Sequence, residues 1–183
     1  MLNTNKLTGD KLTETQYNWL VDELSNSTET WKIVALHNPL YSAGTYGSDP
    51  ERNSISVGLR SQLTGVFYQH GVDIVLQGHD HLVSRTHAID GNGNPVDETW
   101  ENINGIQYSK RPKGVVYLMN GPAGEQARNL NAHMDNLYYN YAKNSNANSW
   151  ADFSIKGNSL TITVNYVNEN NVVEYYSWGI DKN

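Results

Sequence analysis

The sequence predicts an α/β fold, helices layered on a sheet, closed by an antiparallel meander. Two observations carry that reading. Helical and strand periodicities alternate between Thr13 and Leu76, and after Trp150 the pattern changes to strict period two. With 183 residues, 38% hydrophobic and 17% charged, the chain has the size and composition of one globular domain, residues 1–183.

The first helix is expected from Thr13 to Leu24. Tyr17, Leu20, Val21 and Leu24 fall at helical spacing behind a Thr13-x-x-Gln16 start. Trp31 to His37 is a short apolar, β-branched run closed by Pro39, which reads as a buried strand ending at a histidine. Tyr41 to Ile55, with Gly44, Gly47 and Pro50, reads as a loop. Leu59, Leu63, Val66 and Phe67 define a second helix over Val57–His70, stopped by Gly71. Val72 to Leu76 is a second buried strand, and Leu82 to Ile89 a third.

Residues 90–112 read as a polar excursion, and Gly114 to Met119 as another buried strand. Leu130 to Tyr141 reads as a short helix between loops, its tyrosines Tyr138, Tyr139 and Tyr141 packing ordinarily. Residues 151–181 form the meander: Ala151–Lys156, a Gly157-Asn158 turn, Ser159–Tyr166 and Val172–Ile180, with one wet face.

Composition excludes several functions. The net charge of -6 leaves no basic surplus for a phosphate backbone, which argues against a nucleic-acid partner. Apolar runs such as Ile33–Leu36 and Val115–Met119 fall far short of the roughly 18 residues of a membrane span. Met1 to Asp10 has no apolar core and is not read as a signal peptide, which leaves a cytoplasmic protein or a piece of a longer one. Without cysteine, metal chemistry falls to His, Asp, Glu and Asn.

The sharpest feature is Gly78-His79-Asp80-His81, directly after a buried strand. Two imidazoles one residue apart at a strand end can reach one metal or two neighbouring metals. His37 ends a second strand, and ligands of open α/β sheets gather at the carboxyl ends of strands. If the two strands are neighbours, three imidazoles converge on one edge.

Leu36-His-Asn-Pro-Leu-Tyr-Ser-Ala-Gly44, the helix with Gly58-Leu-Arg-Ser-Gln-Leu63, and Gly71-Val-Asp-Ile-Val-Leu-Gln-Gly-His-Asp-His-Leu-Val-Ser-Arg85 together resemble the calcineurin-like metallophosphoesterases. Within that superfamily the chain is most similar to the purple acid phosphatase branch. The resemblance continues through Gly114-Val-Val-Tyr-Leu-Met-Asn-Gly-Pro-Ala-Gly124 and the meander. It implies the C-terminal half of a four-layer αββα sandwich that holds two metal ions, Fe, Zn or Mn, and hydrolyses phosphate mono- or diesters. By position His37 and His79 would bind the second, exchangeable metal, and His81 the first. Such a pair helps make a hydroxide nucleophile and draws charge from the phosphoryl oxygens.

The departures shape the expectation. The family's Asp-x-His, its bridging aspartate and its Gly-Asn-His-[Glu/Asp] motif are all absent. The chain is therefore expected to be a C-terminal portion that is inactive or nearly so alone, from an enzyme secreted or extracytoplasmic in its full form. The histidine pair that meets phosphate in plant-type members is replaced by Ala43-Gly-Thr-Tyr-Gly47, leaving Tyr46 as a hydrogen-bond donor to substrate. Arg85 and His133 are further candidate substrate contacts: Arg85, matching a family arginine, either steadies the site or pairs with a carboxylate, and His133 is a candidate for the site's rim. His70 and His87 read as structural. Asp90-x-Asn92-x-Asn94 with Glu101 is spaced like a calcium loop, but Pro95 sits where that loop needs glycine, so a plain Gly-Asn-Gly turn is expected.

The competing reading is a noncatalytic binding or structural fragment holding at most one metal. Truncation should expose a sheet edge and part of a core face, so self-association is expected.

Overall fold

The structure is a computed structural model that describes residues 1–44, 54–124, 128, 130, 138–143 (backbone path only), 148–167, 170 and 172–183. A small hairpin of β1 (Leu7–Thr8) and β2 (Lys11–Leu12) leads into helix α1 (Glu14–Asn26). Thr13 caps α1, its hydroxyl accepting from the Gln16 N–H at 3.4 Å. The Gln16 carboxamide does not reach back to Thr13. It clamps Asn3 instead, accepting from its N–H at 2.6 Å and donating to its carbonyl at 3.2 Å, which fixes the N-terminal segment to the helix.

The first five-stranded sheet has the order β3-β4-β8-β5-β9: β3 (Ile33–Ala35), β4 (Ile74–Gln77), β8 (Val116–Asn120), β5 (Val83–Thr86) and β9 (Tyr138–Lys143). β3, β4 and β8 are parallel, while β5 runs antiparallel to both of its neighbours, β8 and β9. Helix α2 (Ser54–Gln69) is the crossover between β3 and β4, buried through Leu59, Leu63 and Phe67, which lie at helical spacing. The second sheet has the order β10-β11-β12-β7-β6, with β10 (Ser149–Lys156), β11 (Ser159–Val167), β12 (Val173–Asp181), β7 (Ile106–Lys110) and β6 (Thr99–Ile103). β12 runs parallel to β7, and the other neighbours are antiparallel.

Period-two alternation divides the core. On β4 and β8, Ile74, Val116 and Leu118 face the second sheet, where they meet Leu160, Ile162, Val164 and Trp178. Val75 and Tyr117 face the helices and pack with Leu20, Leu24, Leu63 and Phe67. Among the described residues this makes three layers, α/β/β. The outer face of the second sheet is wet, as the meander predicts, and Thr163 and Ser177 hydrogen-bond across it at 2.8 Å. No helix is long and apolar enough to cross a membrane among the described residues.

Two sequence expectations are corrected. Residues 90–112 are not merely an excursion, because they contain the β6–β7 hairpin that widens the second sheet. Asn104 and Gly105 turn it at φ 54° and 86°, both positive, the geometry that Asn-Gly favours in two-residue hairpin loops. The helix expected over Leu130–Tyr141 is contradicted at its end, where Tyr138 starts β9 and pairs with Thr86 of β5. Residues 131–137 lie outside the described residues. The Asp90 stretch is the expected turn: its carboxylate accepts from the N–H groups of Asn92 and Asn94 at 2.9 and 2.8 Å.

Candidate metal centre

The parallel strands β3, β4 and β8 end on one edge, and the chemistry-bearing residues lie just beyond them. The β3–β4 ladder continues past both strands, through Leu36 N–H to Leu76 O at 3.0 Å and Gly78 N–H to His37 O at 3.0 Å. His37 therefore sits beside Gly78. A Cβ at Gly78 would stand 3.2 Å from His37 Nδ1, so glycine keeps room for that ring.

The chain then reverses. The Asp80 N–H donates to the Gly78 carbonyl at 2.9 Å, a three-residue turn with His79 at its centre and φ 72°. A positive φ at such a centre is the rare, strained γ-turn form, costing a non-glycine residue about 1–3 kcal/mol. The turn brings His79 onto His37. His79 Nδ1 and His37 Nε2 are 3.2 Å apart, with the rings edge-to-face at 76°. Burial, then the His37 ring and the Arg128 charge, lower the His79 pKa below the ordinary imidazole value, which favours its neutral form.

Asp80 points the other way. Its carboxylate is buried and accepts the Ser42 hydroxyl, which in turn accepts the Gly44 N–H at 3.0 Å. Asp80 is thus an anchor for the loop after His37. Gln77 is a second anchor, its Oε1 accepting from the N–H groups of Leu40 and Tyr41 at 2.7 and 3.0 Å. On the far side Asn38 donates to Thr4, from its N–H to Oγ1 at 2.9 Å and from its carboxamide to the carbonyl at 3.0 Å.

The sequence-predicted residues divide as follows. His37 and His79 are in contact. His81 is half-buried beyond the turn and close enough to depress protonation of His79. Among the described residues, no three His, Asp or Glu side chains gather as a group able to hold a metal. Arg85 lies in the core between the sheets, fully buried, pairing with Glu98 at 3.4 Å and stacking 3.9 Å from the Trp178 ring centre. Of the two roles open to Arg85, carboxylate pairing is the one observed. It is held away from solvent, which corrects its expectation as a substrate contact.

His87 approaches the same Glu98 at 3.7 Å, and burial lowers its pKa. His70 Nδ1 is 3.5 Å from the Ser25 hydroxyl. Tyr46 and His133 lie outside the described residues. A cleft of about 640 Å³ between α2 and the Gly91–Gly93 turn contains none of the histidines.

Sequence reading missed Gln77, Ser42, the anchoring role of Asp80, and Arg128. Gln77 left a signal, a polar residue closing an otherwise apolar strand. Arg128 left none, because only the tertiary fold brings it to the turn, where its N–H donates to the His81 carbonyl at 2.9 Å.

Residues 2–83, which span the first strands, α2 and the His79 turn, match the family model of the calcineurin-like phosphoesterases. Over that segment the chain is similar to the calcineurin-like phosphoesterases. The chain is 28% identical over 169 residues to an acid phosphatase of Aspergillus ficuum, covering 80% of this chain and 26% of that protein. It is 29% identical over 133 residues to human acid phosphatase type 7, covering 66% and 28%. A purple acid phosphatase from yellow lupin seeds superposes with a TM-score of 0.68 at 21% identity, over 92% of this chain and 28% of that one. The chain thus spans about a quarter of the length of these curated relatives.

Proposed function

We propose that this chain supplies part of the dinuclear metal site of a phosphate mono- or diesterase, with His37 and His79 on one ion and His81 on the other. The observation that carries the reading is the 3.2 Å separation of His37 Nε2 and His79 Nδ1. Two nitrogens each about 2.1 Å from one ion stand about 3.0 Å apart at a right angle and about 3.4 Å apart at a tetrahedral angle. The observed value lies between these, so the pair fits a shared cation as well as a shared proton. Neutral imidazole suits Zn, Fe or Mn, and the lowered His79 pKa favours that neutral form.

When bound, the ions activate water near neutral pH and withdraw charge from phosphoryl oxygens. The chain's own residues do the positioning. Gly78 leaves space for His37, the His79 turn aims its imidazole at that ring, and Gln77 and Asp80 hold the loop that carries His37.

The reading includes inactivity of the chain alone. The bridging aspartate and the Asn-His motif are absent from these 183 residues, and among those described no third carboxylate or imidazole joins the pair. That last observation also favours a second reading, a noncatalytic fragment holding one ion. Assay of the Mn- or Zn-loaded chain against p-nitrophenyl phosphate and its bis-ester tests the first reading. No turnover above the metal blank is expected, and turnover that disappears in His79→Ala would overturn the inactivity.

A further inference from the structure

The peptide group that joins His37 to Asn38 is held from both ends. Its carbonyl accepts the Gly78 N–H at 3.0 Å, on the segment that leads into His79, and its N–H donates to the Thr4 hydroxyl oxygen at 2.9 Å. A peptide unit is planar, so with both of its polar atoms engaged it cannot turn without breaking a bond. That plane sets the backbone direction at His37, and the backbone in turn decides which side-chain rotamers the imidazole can adopt.

Thr4 is itself fixed. Asn38 makes a second bond to it, the carboxamide Nδ2 donating to the Thr4 carbonyl at 3.0 Å. Upstream, the Leu2 N–H donates to the Ala35 carbonyl of β3 at 2.8 Å, and the Asn3 backbone is clamped by Gln16. Thr4 is 1% exposed and Asn38 9%, so removal of the hydroxyl leaves the Asn38 N–H without a partner in the interior. Gln77 and Asp80 act further along the loop, on Leu40, Tyr41 and Ser42, whereas Thr4 acts on the peptide group of His37 itself.

We propose that Thr4 is a positioning residue of the metal centre, fixing through the His37–Asn38 peptide group the direction in which His37 meets His79. The proposal rests on the reading that these two imidazoles share an ion. Partners that orient a ligand without touching the metal typically govern its affinity by about tenfold to a hundredfold.

Zinc affinity of the full chain, measured by competition with a chromophoric chelator, tests it in wild type, Thr4→Val, Thr4→Ser and Val164→Ala. Valine keeps the shape of threonine without the acceptor, and Thr4→Val should bind zinc about tenfold or more weakly. Thr4→Ser restores the hydroxyl and should bind close to wild type. Val164→Ala opens a cavity in the buried core between the sheets, so it should lower the melting temperature and keep the wild-type affinity, which separates positioning from general loss of stability. Hydrogen exchange in the metal-free proteins gives a second readout: the Asn38 amide should exchange faster in Thr4→Val than in wild type or Thr4→Ser. Unchanged zinc affinity in Thr4→Val, or an equal loss in Val164→Ala, would overturn the proposal and leave the shared-ion reading standing. A wild-type chain that takes up no zinc would overturn that reading and the proposal with it.

Discussion

The carboxamide of Gln77 closes on the backbone of Tyr41 from both sides, Oε1 accepting the Tyr41 N–H at 3.0 Å and Nε2 donating to the Tyr41 carbonyl at 2.7 Å. Together with the Leu40 N–H, this gives a buried loop the partners that a sheet would otherwise supply. Gln77→Ala leaves two N–H groups and a carbonyl unsatisfied in the interior and should cost about 2–4 kcal/mol in urea unfolding. An unchanged urea midpoint would show that the loop finds other partners.

Glu98 is the counter-ion of Arg85 inside the sandwich, both side chains being almost fully buried. Removing one partner of such a pair strands a charge in the core, so Glu98→Ala should destabilise by about 3–5 kcal/mol. Arg85 takes its place through packing, so Arg85→Met should leave phosphate affinity unchanged. Chemical denaturation and phosphate titration of the two variants check these expectations.

Much of this architecture is legible in the sequence, and where it is not the reason is physical. The β3–α2–β4 unit is readable because Val34, Leu59, Leu63, Phe67, Ile74 and Val75 obey the periods of their elements. The convergence of His37 and His79 follows from two strand ends in a parallel sheet. The β6–β7 hairpin escaped because Trp100, Ile103 and Ile106 are diluted by polar neighbours, although Asn104-Gly105 marks its turn. The conformation of His79 was not readable, since a positive φ at a histidine leaves no compositional trace. Arg85 was ambiguous for a related reason, because a buried arginine is written in its partners Glu98 and Trp178, distant in sequence.

Asp181 reports on acid stability. Hydrogen bonding to Lys110, then to Asn183 and Ser159, holds its pKa below the ordinary carboxylate value. A depressed carboxylate contributes stability that is fully present above its unfolded pKa, about 3.9, and is lost as pH falls through the lower folded value. Asp181→Asn should therefore be less stable than wild type at pH 7, with the gap closing below about pH 4. Parallel unfolding curves from pH 7 to pH 2.5 would show this, and a gap constant with pH would exclude it.

β10 is an edge strand whose Phe153 and Ile155 lie on the face that buries Ile162 and Leu160 in the neighbouring strand, yet are themselves exposed. An apolar edge continuous with a core invites pairing, and association of the chain with itself is the expected result. Sedimentation velocity over a hundredfold concentration range should show a mass that rises with concentration and falls back in Ile155→Lys. A monomer throughout would contradict it.

The central claim is that His37 and His79 share one ion. Metal content per chain, measured by mass spectrometry after loading with Mn, Fe or Zn, tests it most directly in wild type, His37→Ala and His79→Ala. The account predicts about one ion per wild-type chain, lost from both variants alike. Metal retained in either variant at the wild-type level would contradict it.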